Sequence, residues 1–123
     1  MLVEQLEPRV VYAVKGGPVL NDATREDALA AGLGTCATVV DNGSEAPGTI
    51  LDLCSAEFRD AFAKAPLIIA KGQANYETLS EAGPRVFCLL QVKCPVIAYD
   101  VDAPVGGIVV RQSRRRGPAD GEV

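Results

Sequence analysis

The 123-residue sequence contains no histidine and no tryptophan, and aromatic residues make up only 5% of it. Without histidine there is no histidine general base, no Ser-His-Asp triad and no histidine metal ligand. The cysteines include no C-x-x-C pair, and the spacing of Cys88 and Cys94 matches no common zinc site. We therefore predict that all four cysteines are reduced and mostly buried, as small apolar side chains of a cytoplasmic protein.

Long hydrophobic runs are also missing. The most apolar stretch, VFCLLQVKCPVIAY, is too short to cross a membrane and carries Gln91 and Lys93. The start, MLVEQLEPRV, has charges but no apolar core of a signal peptide. A net charge of −4 argues against non-specific nucleic-acid binding, and the arginines of residues 111–116 lack neighbouring aromatic residues. We expect neither a membrane nor a nucleic acid as a partner.

Hydrophobic residues make up 48% of the chain, and their order predicts a folded α/β domain. Strands are predicted at residues 10–14, 37–41, 66–70, 85–92, 95–101 and 106–112, and helices at residues 22–34, 55–64 and 74–82. This alternation is typical of βαβ units in a largely parallel sheet with helices on its faces. The unbroken apolar run of the first strand favours a strand covered on both faces. We predict one domain over residues 1–110 and a flexible tail over residues 111–123.

Two of the predicted helices carry recognisable end signals. Thr24 is a suitable N-cap for the first helix, acidic residues follow in its first turn, and Gly32 ends it. Ser55 caps the second helix, in which Phe58 and Phe62 share one face at i,i+4 spacing.

Polar residues follow the first two predicted strands, where open parallel sheets bind their ligands. After the first strand, KGGPVLND places Asn21 and Asp22 just before a helix. After the second, Asp41 and Asn42 open the loop DNGSEAPGT. Each pair is either a turn or cap, or a set of oxygen donors for a hard cation. The residues alone leave both alternatives open.

The segment LIIAKGQANYETLSE, residues 67–81, ends a predicted strand with Lys71 and then turns at Gly72 into a helix. A lysine beside a glycine turn and a helix N-terminus is well placed to hold a phosphate, although it is also an ordinary solvated charge. A carboxylate at one strand end and a lysine at another suit a divalent cation and a phosphate ester.

Five blocks in the same order resemble a known family. They are AVKGGPVLNDATREDALAAGL, DNGSEAPGTIL, LIIAKGQANYETLSE, VFCLLQVKCPVIAYDV and PVGGIVV. Together they resemble the C-terminal portion of the metal-dependent damage-control phosphatases, formerly a domain of unknown function and also described as acidic-residue-methyltransferase-like. The similarity is closest to the bacterial and archaeal branch.

The resemblance implies a three-layer α/β/α fold with a Rossmann-like sheet, of which this chain is the C-terminal part. It implies hydrolysis of sugar-phosphate or damaged phosphometabolite monoesters with a divalent metal, which is Mn, Co, Ni or Mg. It places a metal-binding carboxylate at Asp22, with Asn21 adjacent, and the phosphate-binding lysine at Lys71. Gly72 and Asn75 belong to the same phosphate-binding block. The matching residues Lys15, Gly16 and Gly17 are expected only to shape the site.

The family's upstream Asp-Asn metal motif has no counterpart in this sequence, and the resemblance places Asp41 and Asn42 in a different block. We therefore expect the isolated chain to be nearly inactive, and whether it is an enzyme by itself stays open. One alternative is a subunit whose site is completed by a separately encoded N-terminal half. Association into a homo-oligomer is left open. Another is a non-catalytic subunit that binds a phosphorylated metabolite or a partner. Any shared site requires that Asp22 and Lys71 face one cavity.

Overall fold

The computed structural model describes residues 10–19 and 22–114. Tertiary contacts divide them into a first unit, residues 10–19, 22–46 and 51–64, and a second unit, residues 47–50 and 65–114. The first unit holds strands Val11–Val14 (β1) and Thr38–Asp41 (β2) and helices Arg25–Ala30 (α1) and Ala56–Lys64 (α2). The second unit holds strands Ile68–Lys71 (β3), Val86–Gln91 (β4) and Ile108–Gln112 (β5) and helices Gln73–Leu79 (α3) and Pro95–Val101 (α4).

In the first unit, β1 and β2 pair in parallel, with Val11 opposite Thr38. The predicted N-cap of α1 at Thr24 and its end before Gly32 are confirmed, but the helix spans only Arg25–Ala30, shorter than the predicted residues 22–34, and residues 33–35 form a separate 3-10 turn. Thr24 and Asp27 form a reciprocal capping box, which lowers the pKa of Asp27 because its carboxylate accepts hydrogen bonds from the Thr24 backbone and hydroxyl. Gly32 leaves the helix at a φ of 87°, a left-handed conformation that glycine adopts without steric cost.

The second predicted cap is also confirmed. The Ser55 hydroxyl accepts a hydrogen bond from the Phe58 amide at 3.1 Å, at the start of α2. The rings of Phe58 and Phe62 lie with their centroids 6.0 Å apart.

The prediction that β1 is covered on both faces is wrong for the described residues. Tyr12 and Val14 pack on the small core formed with Ala28 and Leu33. Successive side chains of a strand point to opposite faces, so Val11 lies on the other face and is 56% exposed. In this strand, an unbroken apolar run therefore does not indicate that both faces are buried.

In the second unit, β4 is the central strand. It pairs in parallel with β3, with Ile68 opposite Val86, and antiparallel with β5, with Gln91 opposite Ile108. The predicted α/β fold is confirmed, with parallel pairs for β1 with β2 and for β3 with β4. The antiparallel pair shows that the described sheets are only partly parallel.

The strand predicted at residues 95–101 is wrong, because this segment forms helix α4. Pro95 occupies its first turn, where the missing backbone N–H removes no helical hydrogen bond. Ile97 and Val101, four residues apart, are the buried residues of the helix. A short apolar run fits a strand or a buried helix equally well, and only its packing distinguishes the two.

The predicted start of a flexible tail at residue 111 is too early. Strand β5 continues to Gln112, which lies opposite Phe87. Beyond it, the amide of Ser113 donates to the Val86 carbonyl at 2.8 Å and the amide of Arg114 donates to the Ser80 carbonyl at 2.9 Å. Residues 115–123 lie outside the described residues, so a tail there stays a prediction, as does the single domain.

All four cysteines belong to the described residues, and none forms a disulfide. Cys54 and Cys88 are buried, whereas Cys36 and Cys94 are half-buried. Burial raises the pKa of the Cys54 thiol. No helix within residues 10–19 and 22–114 is long and apolar enough to span a membrane. A cytoplasmic location stays a prediction.

A buried tyrosine makes the stability of the second unit depend on pH. Tyr76 is 3% exposed, and its hydroxyl donates to the Asp100 carboxylate. Burial, together with that bond, raises the pKa of Tyr76 to about 12. An unfolded tyrosine ionises near pH 10. The contribution of protonated Tyr76 to the free energy of unfolding is therefore complete below about pH 10 and declines as the pH rises towards 12. We expect the difference in unfolding free energy between the unmodified chain and Tyr76→Phe to decline over this interval.

Urea denaturation at a series of pH values measures that difference. Phenylalanine keeps the ring and cannot ionise, so the subtraction removes the titration of all other groups. A difference that stayed constant from pH 8 to pH 12 would contradict the assignment.

Candidate functional site

Asp22, the predicted metal ligand, lies just before α1 and is exposed to solvent. Its backbone amide donates to the Val19 carbonyl at 2.8 Å. The carboxylate is therefore accessible at the carboxyl end of β1, as a metal ligand requires. Asn21 lies outside the described residues.

Lys15 has a more defined environment than the sequence indicated. It directly follows β1 and is only 9% exposed, and its ammonium donates to the Ala46 carbonyl at 2.8 Å. Burial lowers the pKa of Lys15, whereas the negative charge of Asp22 opposes that shift. The two side chains thus interact electrostatically at this strand end. The feature of the sequence that pointed to this environment was the position of Lys15 between an apolar strand and two glycines.

The two glycines after Lys15 let this turn approach a neighbouring loop of the first unit. The Gly16 amide donates to the Ser44 carbonyl at 2.9 Å. A Cβ at Gly16 would lie 2.8 Å from the Ser44 nitrogen, and one at Gly17 would lie 2.5 Å from a Glu45 carboxylate oxygen. In the structure these glycines thus accommodate the loop of residues 43–46.

Asp41 and Asn42 form turn hydrogen bonds. The Asp41 carboxylate accepts from the Gly43 amide at 2.9 Å and pairs with Arg25 at 3.3 Å. Asn42 is 4% exposed, and its side-chain oxygen accepts from the Ser44 amide at 2.9 Å. These contacts fit the turn alternative for this pair.

Asp22 fits a divalent metal as one ligand, but the described residues do not complete the site. Within the described ranges there is no group of three or more acidic, cysteine or histidine side chains that could hold a metal ion. A single carboxylate is not sufficient, because Mg²⁺ or Mn²⁺ gives up bound water only for several oxygen ligands.

Lys71, the predicted phosphate-binding lysine, is the last residue of β3 and is exposed. Gly72 follows at a φ of 100°, and its amide donates to the Leu89 carbonyl at 2.8 Å. A Cβ at Gly72 would meet nothing within 4 Å, so glycine is favoured there by the backbone conformation alone. The lysine thus stands at the carboxyl end of a parallel strand, as predicted.

Asn75 uses both ends of its side chain within the protein. Its oxygen accepts from the Thr49 hydroxyl at 2.7 Å, and its amide nitrogen donates to the Lys71 carbonyl at 2.8 Å. A phosphate contact by Asn75 stays a prediction. Sequence reasoning missed Thr49, for which the available signal was a Pro-Gly-Thr turn in a loop otherwise interpreted as a connection.

The structure thus places Asp22 with Lys15 in the first unit, and Lys71, Gly72 and Asn75 in the second. Lys71 and Asn75 are brought together by a direct hydrogen bond. The cavity predicted to be shared by Asp22 and Lys71 stays a prediction.

Comparison with known proteins identifies the class to which this arrangement belongs. The sequence matches the damage-control phosphatase ARMT1-like domain over residues 1–109, and the chain belongs to this family. The predicted resemblance is confirmed. Damage-control phosphatases are in general metal-dependent.

Individual relatives agree with that assignment. The chain is 46% identical to damage-control phosphatase PH1575 of Pyrococcus horikoshii over 106 residues, 85% of this chain and 37% of that protein. It is 40% identical to the uncharacterized protein MJ0202 of Methanocaldococcus jannaschii, covering 88% of this chain and 37% of that protein. It is 37% identical to a damage-control phosphatase of Archaeoglobus fulgidus, covering 90% and 40%.

A solved structure supports the fold. The crystal structure of the DUF89 family protein PH1575 from Pyrococcus horikoshii superposes with a TM-score of 0.81 over 86% of this chain and 38% of that one. The chain thus spans less than half the length of each of these relatives.

Proposed function

We propose that the chain is part of a metal-dependent phosphatase that hydrolyses sugar-phosphate or damaged phosphometabolite monoesters. It contributes Asp22 as one metal ligand and Lys71 as the phosphate-binding cation. The observation that carries the proposal is the position of Lys71, exposed at the end of a parallel strand and followed by a glycine with a positive φ of 100°. Membership of a phosphatase family and two relatives named as damage-control phosphatases support it.

In this proposal each side chain has one task. The Lys71 ammonium neutralises charge on the non-bridging phosphoryl oxygens, where negative charge is held in the ground state and the transition state. The Asp22 carboxylate supplies one oxygen to the metal. The buried Lys15 ammonium interacts electrostatically with that carboxylate. A divalent metal, one of Mn, Co, Ni or Mg, supplies Lewis acidity for the phosphoryl group when bound. The remaining ligands come from outside the described residues.

A second candidate is a non-catalytic subunit that binds a phosphorylated metabolite or a partner. It is favoured by one observation, namely that within the described ranges no complete set of metal ligands exists. Its partner would be a separate N-terminal half or a second copy of the chain. Binding of a phosphate ester without turnover, with Mn²⁺ present, is the behaviour that distinguishes it from the enzyme.

Phosphate release from p-nitrophenyl phosphate tests the proposal. We expect the purified chain to be nearly inactive with Mn²⁺, Co²⁺, Ni²⁺ or Mg²⁺, because one carboxylate does not hold the metal. We expect activity from a chimera in which this chain replaces the matching 38% of the Pyrococcus protein. In that chimera, Asp22→Asn should require far more metal for half-maximal activity.

The matched control is Asp60→Asn, which alters an exposed carboxylate on α2. If the isolated chain were active and its activity required both metal and Asp22, the expectation that the isolated chain does not hold the metal would be contradicted. If Asp22→Asn leaves the metal requirement of a folded chimera unchanged, Asp22 is not a metal ligand.

A further inference from the structure

The peptide group that joins Lys71 to Gly72 is held on both of its polar atoms. Its carbonyl oxygen accepts from the Asn75 side chain at 2.8 Å, and its N–H donates to the Leu89 carbonyl at 2.8 Å. The second bond belongs to the parallel sheet, whereas the first comes from a side chain on α3. The peptide plane, and with it the direction in which the Lys71 side chain leaves the backbone, is therefore fixed at the end of β3.

Asn75 is itself held by the loop of residues 47–50. Thr49 is 9% exposed, and its hydroxyl donates to the Asn75 side-chain oxygen at 2.7 Å. This bond orients the carboxamide, because the oxygen is engaged by Thr49 and the NH₂ group is directed to the Lys71 carbonyl. A hydrogen-bond chain thus runs from Thr49 through Asn75 to the backbone of Lys71.

The loop is seated firmly enough to serve as a support. The Thr49 amide donates to the Thr78 hydroxyl at 2.9 Å, so the loop contacts α3 at two side chains one turn apart. Gly48, at a φ of 70°, approaches the helix so closely that a Cβ there would lie 2.6 Å from the Ala74 carbonyl oxygen. These contacts join residues 26 and 29 positions apart in the sequence.

We propose that Thr49 and Asn75 are positioning residues for Lys71, an assignment that rests on the proposed phosphate-binding function of that lysine. The loop of residues 47–50 orients the Asn75 carboxamide, and the carboxamide orients the peptide from which the lysine projects. Neither side chain needs to touch the substrate in this arrangement. A lysine presented from a fixed backbone loses less conformational freedom when it binds a phosphate.

Binding of inorganic phosphate to the full 123-residue chain tests this assignment. NMR titration at constant ionic strength gives the dissociation constant from the Gly72 and Asn75 amide shifts. We expect Thr49→Val, which removes the hydroxyl but keeps the shape, to weaken binding about fivefold, the effect of one hydrogen bond. Thr49→Ser restores the hydroxyl and should restore the affinity, which a purely steric role would not do. Thr38→Val, at an exposed threonine of β2, is the matched control.

The double variant Thr49→Val/Asn75→Ala is expected to bind phosphate no more weakly than Asn75→Ala alone, because Thr49 acts only through Asn75. Asn75→Ala also keeps the test decisive if Thr49→Val does not fold. Lys71→Ala distinguishes two claims, namely that Lys71 binds phosphate and that Thr49 and Asn75 position it. If Lys71→Ala abolishes binding while Thr49→Val and Asn75→Ala bind normally, the positioning role is overturned and the phosphate site remains. If Lys71→Ala changes nothing, or the unmodified chain binds no phosphate, Lys71 is not a phosphate-binding group of this chain, and its positioning by Thr49 and Asn75 is refuted as well.

Discussion

Lys71→Ala is expected to lower kcat/KM of the active chimera about a hundredfold or more, the cost of removing one positioned group that neutralises negative charge in the transition state. The reason is specific to this lysine, whose side chain leaves an anchored peptide at the carboxyl end of a parallel strand. Lys71→Arg keeps the charge but replaces a compact ammonium with a planar guanidinium, so we expect it to recover only part of the activity.

Lys64→Ala is the matched control for this prediction. Lys64 is an exposed lysine on α2 that pairs with Asp60 at 3.0 Å within the same helix, a contact that contributes little to stability. Steady-state kinetics on a phosphate monoester, with circular dichroism to verify folding, gives both values. A folded Lys71→Ala chimera with the activity of Lys64→Ala would exclude Lys71 from the reaction.

Gly48→Ala is expected to produce the largest loss of stability among the glycine substitutions of the second unit. Two costs combine at this position, a positive φ of 70° and a Cβ that would lie 2.6 Å from the Ala74 carbonyl oxygen. The conformational cost is about 1–2 kcal/mol, and displacement of the loop or of α3 raises the total to about 3 kcal/mol or more. The free energy of unfolding in urea measures it.

Gly106→Ala isolates the conformational part of that cost. Gly106 has a φ of 92°, in the same left-handed region, but a Cβ there would meet nothing within 4 Å. We expect it to destabilise the chain by about 1–2 kcal/mol only. Equal losses for the two variants would show that the loop of residues 47–50 yields freely, which would also weaken its assignment as a support for Lys71.

Sequence patterns that act over a few residues were interpreted correctly. The capping residues Thr24 and Ser55 were identified because a cap bonds to an amide only three residues away. The position of Lys71 at a strand end followed from an apolar run that stops at a glycine turn. The family was identified from five sequence blocks that occur in the same order as in the family.

The sequence by itself therefore determined the α/β class, the caps of the first two helices, the family, and the candidate residues Asp22 and Lys71. Only the tertiary structure decided that residues 95–101 are helical, that β5 runs antiparallel to β4, and that one face of β1 is exposed. It also decided that Asn75 bonds to Thr49 and to the Lys71 backbone. The physical reason is range: a cap or a turn is encoded by adjacent residues, whereas burial, strand direction and a bond across 26 residues depend on which distant segments pack together.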